Sequence, residues 1–317
     1  MKSKIFFLLG LNFLALSFFG CRSDEVEIGA LEKDYYLTPY GASANDQLLQ
    51  HHFYDTHHIY LLFNDTIQKE QTSVNPDNTP FYTYQAVNLG YSMTGSLSSK
   101  DNIFEFDYIQ TDKEKQVATQ FVQDKILPSL GPDLRPFSFL LIDKINYYVS
   151  NASTYYEMLL TNPVVFQGWR CTAIAVSGLT DMTDEEQTAY RNQILKTIVA
   201  GKISKLDPSI FDSFYSFCSQ YYSTFKMDSG NSHEVEDFIK IHPTMMDLGF
   251  LSAYAYGNPY GFYMYNFKAK SYDLEDYTNA VFEYSEEEFT NLYGQYPIVM
   301  QKYAILKQII ADLGVIL

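Results

Sequence analysis

Two short apolar runs that lead into one long, well-capped helix constrain this chain most. Phe137-Ser138-Phe139-Leu140-Leu141-Ile142 and Cys171-Thr172-Ala173-Ile174-Ala175-Val176 are bounded by proline, glycine or polar clusters. Short continuous apolar runs of this kind read as strands buried on both faces. The second run precedes a helix expected from about Thr183 to Lys205. Its start is marked by Thr183-Asp184-Glu185-Glu186, where the threonine caps the first turn and Glu186, three residues on, completes a capping box. It stops before Asp207-Pro208, because the residue ahead of a proline is pushed out of helical geometry.

The remaining pattern fills in around these elements. Helices are expected over Asn45–Phe53, Lys113–Ile126, Phe211–Phe225, Asp273–Phe282 and Val299–Leu313, and strands over Ile59–Phe63 and Phe81–Leu89. Gln71 to Pro80 is polar, contains two prolines and reads as a loop. There is no internal repeat and no second composition regime. A few strands followed by several helices imply a single α+β domain over residues 41–317, with a short sheet and several helices.

The N-terminus carries an address. Met1-Lys2-Ser3-Lys4 is a basic start, Ile5–Phe19 an apolar run too short for a comfortable membrane span, and Gly20-Cys21 closes it. This is the pattern of a bacterial lipoprotein signal peptide over residues 1–20, with Cys21 as the lipidation site. Phe18 stands where the lipobox usually has leucine. Residues 21–40 read as a lipidated N-terminus and tether. The acidic cluster Arg22-Ser23-Asp24-Glu25-Val26-Glu27 looks like the surface-export tag of outer-membrane lipoproteins, so the expected location is the outer membrane, lipid-anchored and facing the cell exterior.

Charge then excludes one class of partner. Without Lys2 and Lys4 the 22 basic residues become 20 against 38 acidic ones, a formal balance of −18 in place of −16. Nucleic acid is not an expected partner, because phosphate binding needs the opposite sign. The remaining cysteines, Cys171 and Cys218, match no metal or redox spacing, and a chain that is 46% apolar can bury a full core without them, so both read as ordinary buried thiols.

Catalytic motifs are nearly absent. Gly90-Tyr91-Ser92-Met93-Thr94-Gly95 is one residue too long for a nucleophile elbow, and there is no glycine-rich phosphate loop. His51, His52, His57 and His58 are not spaced to put two imidazoles on one helical face, and read as surface groups around a helix-to-strand turn. His233, Glu234 and Asp237 imitate a zinc-peptidase helix with aspartate in the second ligand position, although a short acidic helix fits the same residues. His242, ahead of Pro243, reads as a loop residue.

The chain resembles the zinc metallopeptidase-like lipoproteins associated with substrate import, which accompany TonB-dependent importers. The resemblance covers most of residues 45–317. It rests on Asn45-Asp46-Gln47-Leu48-Leu49 leading through Phe53-Tyr54-Asp55-Thr56 into the Ile59–Phe63 strand, on Leu248-Gly249-Phe250-Leu251-Ser252-Ala253-Tyr254-Ala255, on Leu274-Glu275-Asp276-Tyr277 and on the closing helix from Pro297. The order of these pieces is the stronger signal. It implies a zincin-like metallopeptidase fold. The family's HExxH segment aligns with Lys196-Thr197-Ile198-Val199-Ala200-Gly201-Lys202-Ile203-Ser204. Ala200 and Ser204 then replace the two histidines, Gly201 the glutamate, and Asn279 the glutamate that would be a third ligand.

Alanine offers no donor, serine is a poor one, and glycine cannot take a proton from metal-bound water. The resemblance therefore implies a pseudo-metallopeptidase with no catalytic residues, no bound metal and no cofactor. It would serve as an accessory or binding component of a TonB-dependent nutrient importer, partnered by that importer and its substrate-binding lipoprotein. Two alternatives stay open. One is a zinc hydrolase using His233, Glu234, Asp237 or Asp276 as substitute ligands. The other is a carbohydrate-binding lipoprotein using Tyr254, Tyr256, Tyr260, Phe262, Tyr263 and Tyr265.

Overall fold

The computed structural model describes residues 34–87, 103–150, 157–168, 170–228, 232–252, 254–257 and 263–317. The signal segment, Cys21, the acidic tag and the Gly90–Gly95 segment lie outside the described residues. The architecture is mixed α+β. In chain order it runs α1 (Ala44–His57), β1 (Tyr60–Leu62), β2 (Thr66–Val74), β3 (Pro80–Ala86), β4 (Ile103–Asp107) and α2 (Asp112–Phe121). Then come β5 (Ser138–Ile142), β6 (Lys144–Ser150), β7 (Glu157–Thr161), β8 (Val165–Gln167), β9 (Cys171–Ala175) and α3 (Asp184–Ile203). The C-terminal part holds α4 (Asp212–Ser216), β10 (Phe225–Met227), α5 (Glu234–Ile241), β11 (Tyr254–Gly257), β12 (Tyr263–Asn266), α6 (Lys270–Glu283), α7 (Glu286–Tyr293) and α8 (Pro297–Asp312).

The central sheet has the order β1-β5-β9-β8, with β1, β5 and β9 parallel and β8 antiparallel at the edge. Alternation along each strand splits the side chains between two cores. Leu61, Phe139, Leu141 and Ile174 join residues of α1, α2, α3, α6 and α8, whereas Leu62, Leu140, Ile142, Ala173 and Ala175 join Ile67 and Ile145. Every residue of β5 and β9 is buried, which explains why both strands read as continuous apolar runs. Each fully buried leucine or phenylalanine here contributes about 1.5–3 kcal/mol. Separate antiparallel units β4-β6-β7, β2-β3 and β10-β12-β11 surround this frame.

The capping box on α3 forms as the residues dictate: the Glu186 amide donates to Thr183 Oγ1 at 3.2 Å, and the Thr183 amide to Glu186 Oε2 at 2.8 Å. Ser43 with Asp46, Thr111 with Glu114 and Ser285 with Glu288 repeat the device on α1, α2 and α7. Cys171 and Cys218 are both free and buried. No helix among the described residues is long and apolar enough to cross a membrane.

Two expectations need correction. The helix expected over Phe211–Phe225 shrinks to α4, followed by turns and then β10. Ser216 Oγ donates to the Ser213 carbonyl at 2.7 Å, Thr224 Oγ1 donates to the Tyr221 carbonyl at 2.6 Å, and Ser223 takes a left-handed φ of 57°. These local bonds compete with a helical backbone. The expected loop over Gln71–Pro80 is half strand: β2 extends to Val74, and a five-residue turn separates it from Pro80, where β3 begins. Asp77 Oδ1 accepts from the Thr79 amide at 3.0 Å, and Asn78 adopts φ 64°. Pro80 is tolerated because it opens a strand of an isolated hairpin. Tyr35 and Tyr36 also pack on the smaller core, so contact with the domain begins inside the stretch expected to be tether.

Candidate ligand cleft

Helices α3 and α6 line a cavity of about 840 Å³, within the range of roughly 300–1,000 Å³ typical of small-molecule sites. Lys196 and Ala200 on α3 and Ser204 at its C-cap follow one another at intervals of four, and Ser271, Glu275 and Asn279 do the same along α6. That interval places each trio on one helical face. Ile203, Leu206, Phe211, Leu274 and the Tyr215 ring add apolar surface. Lys196 bridges the two helices through Glu283 at 3.1 Å, and Lys270 Nζ lies 4.9 Å from the centre of the Tyr215 ring.

The structure brings Ala200, Ser204 and Asn279 to the wall of this one cavity. Gly201 faces elsewhere: a Cβ at this position would come within 2.1 Å of Gln167 Oε1 on β8. Any side chain here must first displace that amide. Ser204 Oγ donates to the Gly201 carbonyl at 3.1 Å. Alanine, serine and an asparagine amide do not fit zinc, which takes imidazole, thiolate or carboxylate ligands.

The substitute ligands do not converge. His233 Nδ1 sits 3.2 Å from Glu236 Oε2 on an exposed surface and not against Asp237, which instead binds Lys240 at 3.2 Å. Glu234 pairs with Lys226 at 3.1 Å, and Asp276 with Lys268 at 2.5 Å. Among the described residues no group of three or more His, Cys, Asp or Glu side chains could hold a metal ion. Of the paired histidines, His57 is half-buried against Phe53, with Nε2 3.3 Å from Gln123 Nε2. Burial, then Arg135 and His52, push its pKa below the ordinary value. His58 occupies the C-cap of α1 at φ 55°, and His242 that of α5. The backbone of Tyr254–Gly257 and Tyr263–Asn266 forms the β11-β12 pair, while Tyr260, Phe262 and the tyrosine side chains of both strands lie outside the described residues.

Beyond Tyr215 lies a polar centre that the sequence reading missed. Lys302 on α8 and Asp273 on α6 form an ion pair with Nζ–Oδ2 2.6 Å, and neither side chain reaches solvent. Lys302 Nζ also donates to the Gly249 carbonyl at 2.8 Å and lies 3.4 Å from Cys218 Sγ. The Tyr222 hydroxyl donates to Asp273 Oδ2 at 2.5 Å, and the Tyr277 hydroxyl to the Gly249 carbonyl at 2.9 Å. Phe214, Tyr277 and Phe250 ring centroids stand 4.5, 4.6 and 5.2 Å from the ammonium. Burial pushes the Asp273 pKa up while Lys302 opposes it, and burial raises the Tyr222, Tyr277 and Cys218 groups as well. Tyr215, on the cavity side, is pushed up to about 12 by burial and by Asp273. The Tyr222 and Tyr277 phenols therefore stay neutral and act as donors. One signal could have revealed this centre: Lys302 shares the apolar stripe of Val299 and Leu306, and Asp273 that of Tyr277 and Ala280.

Compared with protein-family models, curated proteins and solved structures, the chain matches none.

Proposed function

We propose that this protein is a surface-exposed outer-membrane lipoprotein with a zincin-like domain that has lost its zinc chemistry and binds a ligand for a TonB-dependent nutrient importer. The observation that carries this reading is the α3–α6 cavity. Its wall holds Ala200, Ser204 and Asn279, the three positions that the family resemblance gives to zinc ligands, around a largely apolar surface. A parallel sheet with one antiparallel edge strand, followed by the helix that carries Ala200, is consistent with the zincin-like architecture. A chamber of this size suits a small-molecule ligand, and Ala200, Ser204 and Asn279 are not zinc ligands.

Anchoring and binding are tested together in cells. Cys21→Ala should release the protein from the membrane fraction, because lipid supplies the anchor. Replacing Asp24, Glu25 and Glu27 by alanine should abolish protease accessibility on intact cells. Native mass spectrometry of detergent-extracted protein should show a bound small molecule that Ala200→Trp, which fills the cavity, removes. Membrane retention of Cys21→Ala or unchanged accessibility would contradict the location, and an identical bound mass in Ala200→Trp would contradict the cleft.

A further inference from the structure

We propose that Cys218 and Lys302 join covalently through a nitrogen–oxygen–sulfur bridge when the protein meets dioxygen. Both side chains are fully buried, and Sγ lies 3.4 Å from Nζ. The amine is aimed rather than merely close. Two of its three N–H bonds go to Asp273 Oδ2 and the Gly249 carbonyl, leaving the third for the sulfur. The thiol hydrogen points to the Leu248 carbonyl at 3.1 Å, which turns a sulfur lone pair toward the amine. The approach is held open by Gly249, where a Cβ would come within 3.3 Å of Sγ and 2.3 Å of Ile298 Cγ2.

Phe214, Phe250 and Tyr277 enclose the pair and keep bulk water from it, whereas dioxygen is small and apolar enough to enter such a site. Asp273 supplies the proton acceptor: its Oδ2 already binds the ammonium, and its buried Oδ1 has no hydrogen-bond partner. The ammonium passes one proton to this carboxylate. One N–H, the S–H and the O–O bond then break, and N–O and O–S bonds form. Nitrogen and sulfur each lose two electrons, dioxygen gains four, one oxygen atom stays in the bridge and the other leaves as water. The bridge ties α8 to the segment after α4, on the far side of Tyr215 from the cavity.

The test uses the unmodified protein purified once in air and once under argon with reductant. Each sample is denatured in an alkylating reagent, digested and analysed by mass spectrometry. In air, the Cys218 and Lys302 peptides should appear joined, heavier than their sum by one oxygen and lighter by two hydrogens. Dithiothreitol should separate them. Under argon, Cys218 should be alkylated and Lys302 free. Cys171, buried beside Ser138, should be alkylated in both samples. Cys218→Ser and Lys302→Arg should each abolish the joined species. Full alkylation of Cys218 in air-exposed protein, or joined peptides that lack the extra oxygen, would overturn the proposal. The comparison of air with argon needs no variant, so a misfolded substitution cannot obscure it.

Discussion

Replacing Lys302 with methionine removes the ammonium, keeps most of the side-chain volume and strands Asp273. The carboxylate then retains only the Tyr222 hydroxyl on Oδ2, with Oδ1 unpartnered and no surface in contact with water. The Gly249 carbonyl keeps the Tyr277 hydroxyl, so the uncompensated charge dominates the loss. Breaking a buried pair from one side costs about 3–5 kcal/mol. At roughly 2–4 °C per kcal/mol for a domain of this size, the melting temperature should fall by roughly 6–20 °C. The double variant Lys302→Met with Asp273→Asn should recover most of that loss, because no charge remains to be desolvated. The pH dependence has a definite sign. Without the lysine, the Asp273 pKa rises further above its unfolded value, so the folded state takes up a proton before the unfolded chain does. The deficit of the single variant should therefore shrink as pH falls toward the ordinary carboxylate value of 3.8. Urea unfolding followed by far-ultraviolet circular dichroism, with reductant present throughout, measures all three quantities. A loss below about 1 kcal/mol, or a deficit independent of pH, would refute the reasoning.

Thr183→Ala should destabilise the domain by about 1 kcal/mol through loss of the α3 cap, and a chemical-denaturation midpoint unchanged from the parent would remove the cap from the account. His57 has a folded pKa below its unfolded value, so its contribution is present above pH 6.5 and is lost as pH falls through 6.5 toward the folded pKa. His57→Gln should flatten the slope of stability against pH in that window, and an unaltered slope would assign it to other groups.

The central frame was legible because its signals are local and redundant. Phe139 and Cys171 sit in runs that no amphipathic surface element would tolerate, and Thr183 with Glu186 marks a helix start without reference to the rest of the chain. The segment after Phe211 misled because its aromatic spacing resembles a helix. Ser216 and Thr224 bond to nearby backbone carbonyls, and the Tyr221 ring instead stacks on Phe267. The hairpin turn was hidden by composition, since polar residues in β2 are exposed on both faces and carry no alternation. The resemblance pointed to Ala200, Ser204 and Asn279, and all three line the α3–α6 cavity. The Lys302–Asp273 centre needed three dimensions: 29 residues separate its members, and each looks like an ordinary surface charge until its helical stripe is read.

The measurement that bears most directly on a metal-free binding cleft is the zinc content of the purified protein, taken together with chelator-sensitive peptide hydrolysis on the same sample. Ala200 supplies no donor, Ser204 is hydrogen-bonded to Gly201, and Asn279 carries no charge. Zinc should lie far below one equivalent, with no hydrolysis that a chelator abolishes. One equivalent of tightly held zinc with chelator-sensitive turnover would contradict a metal-free cleft.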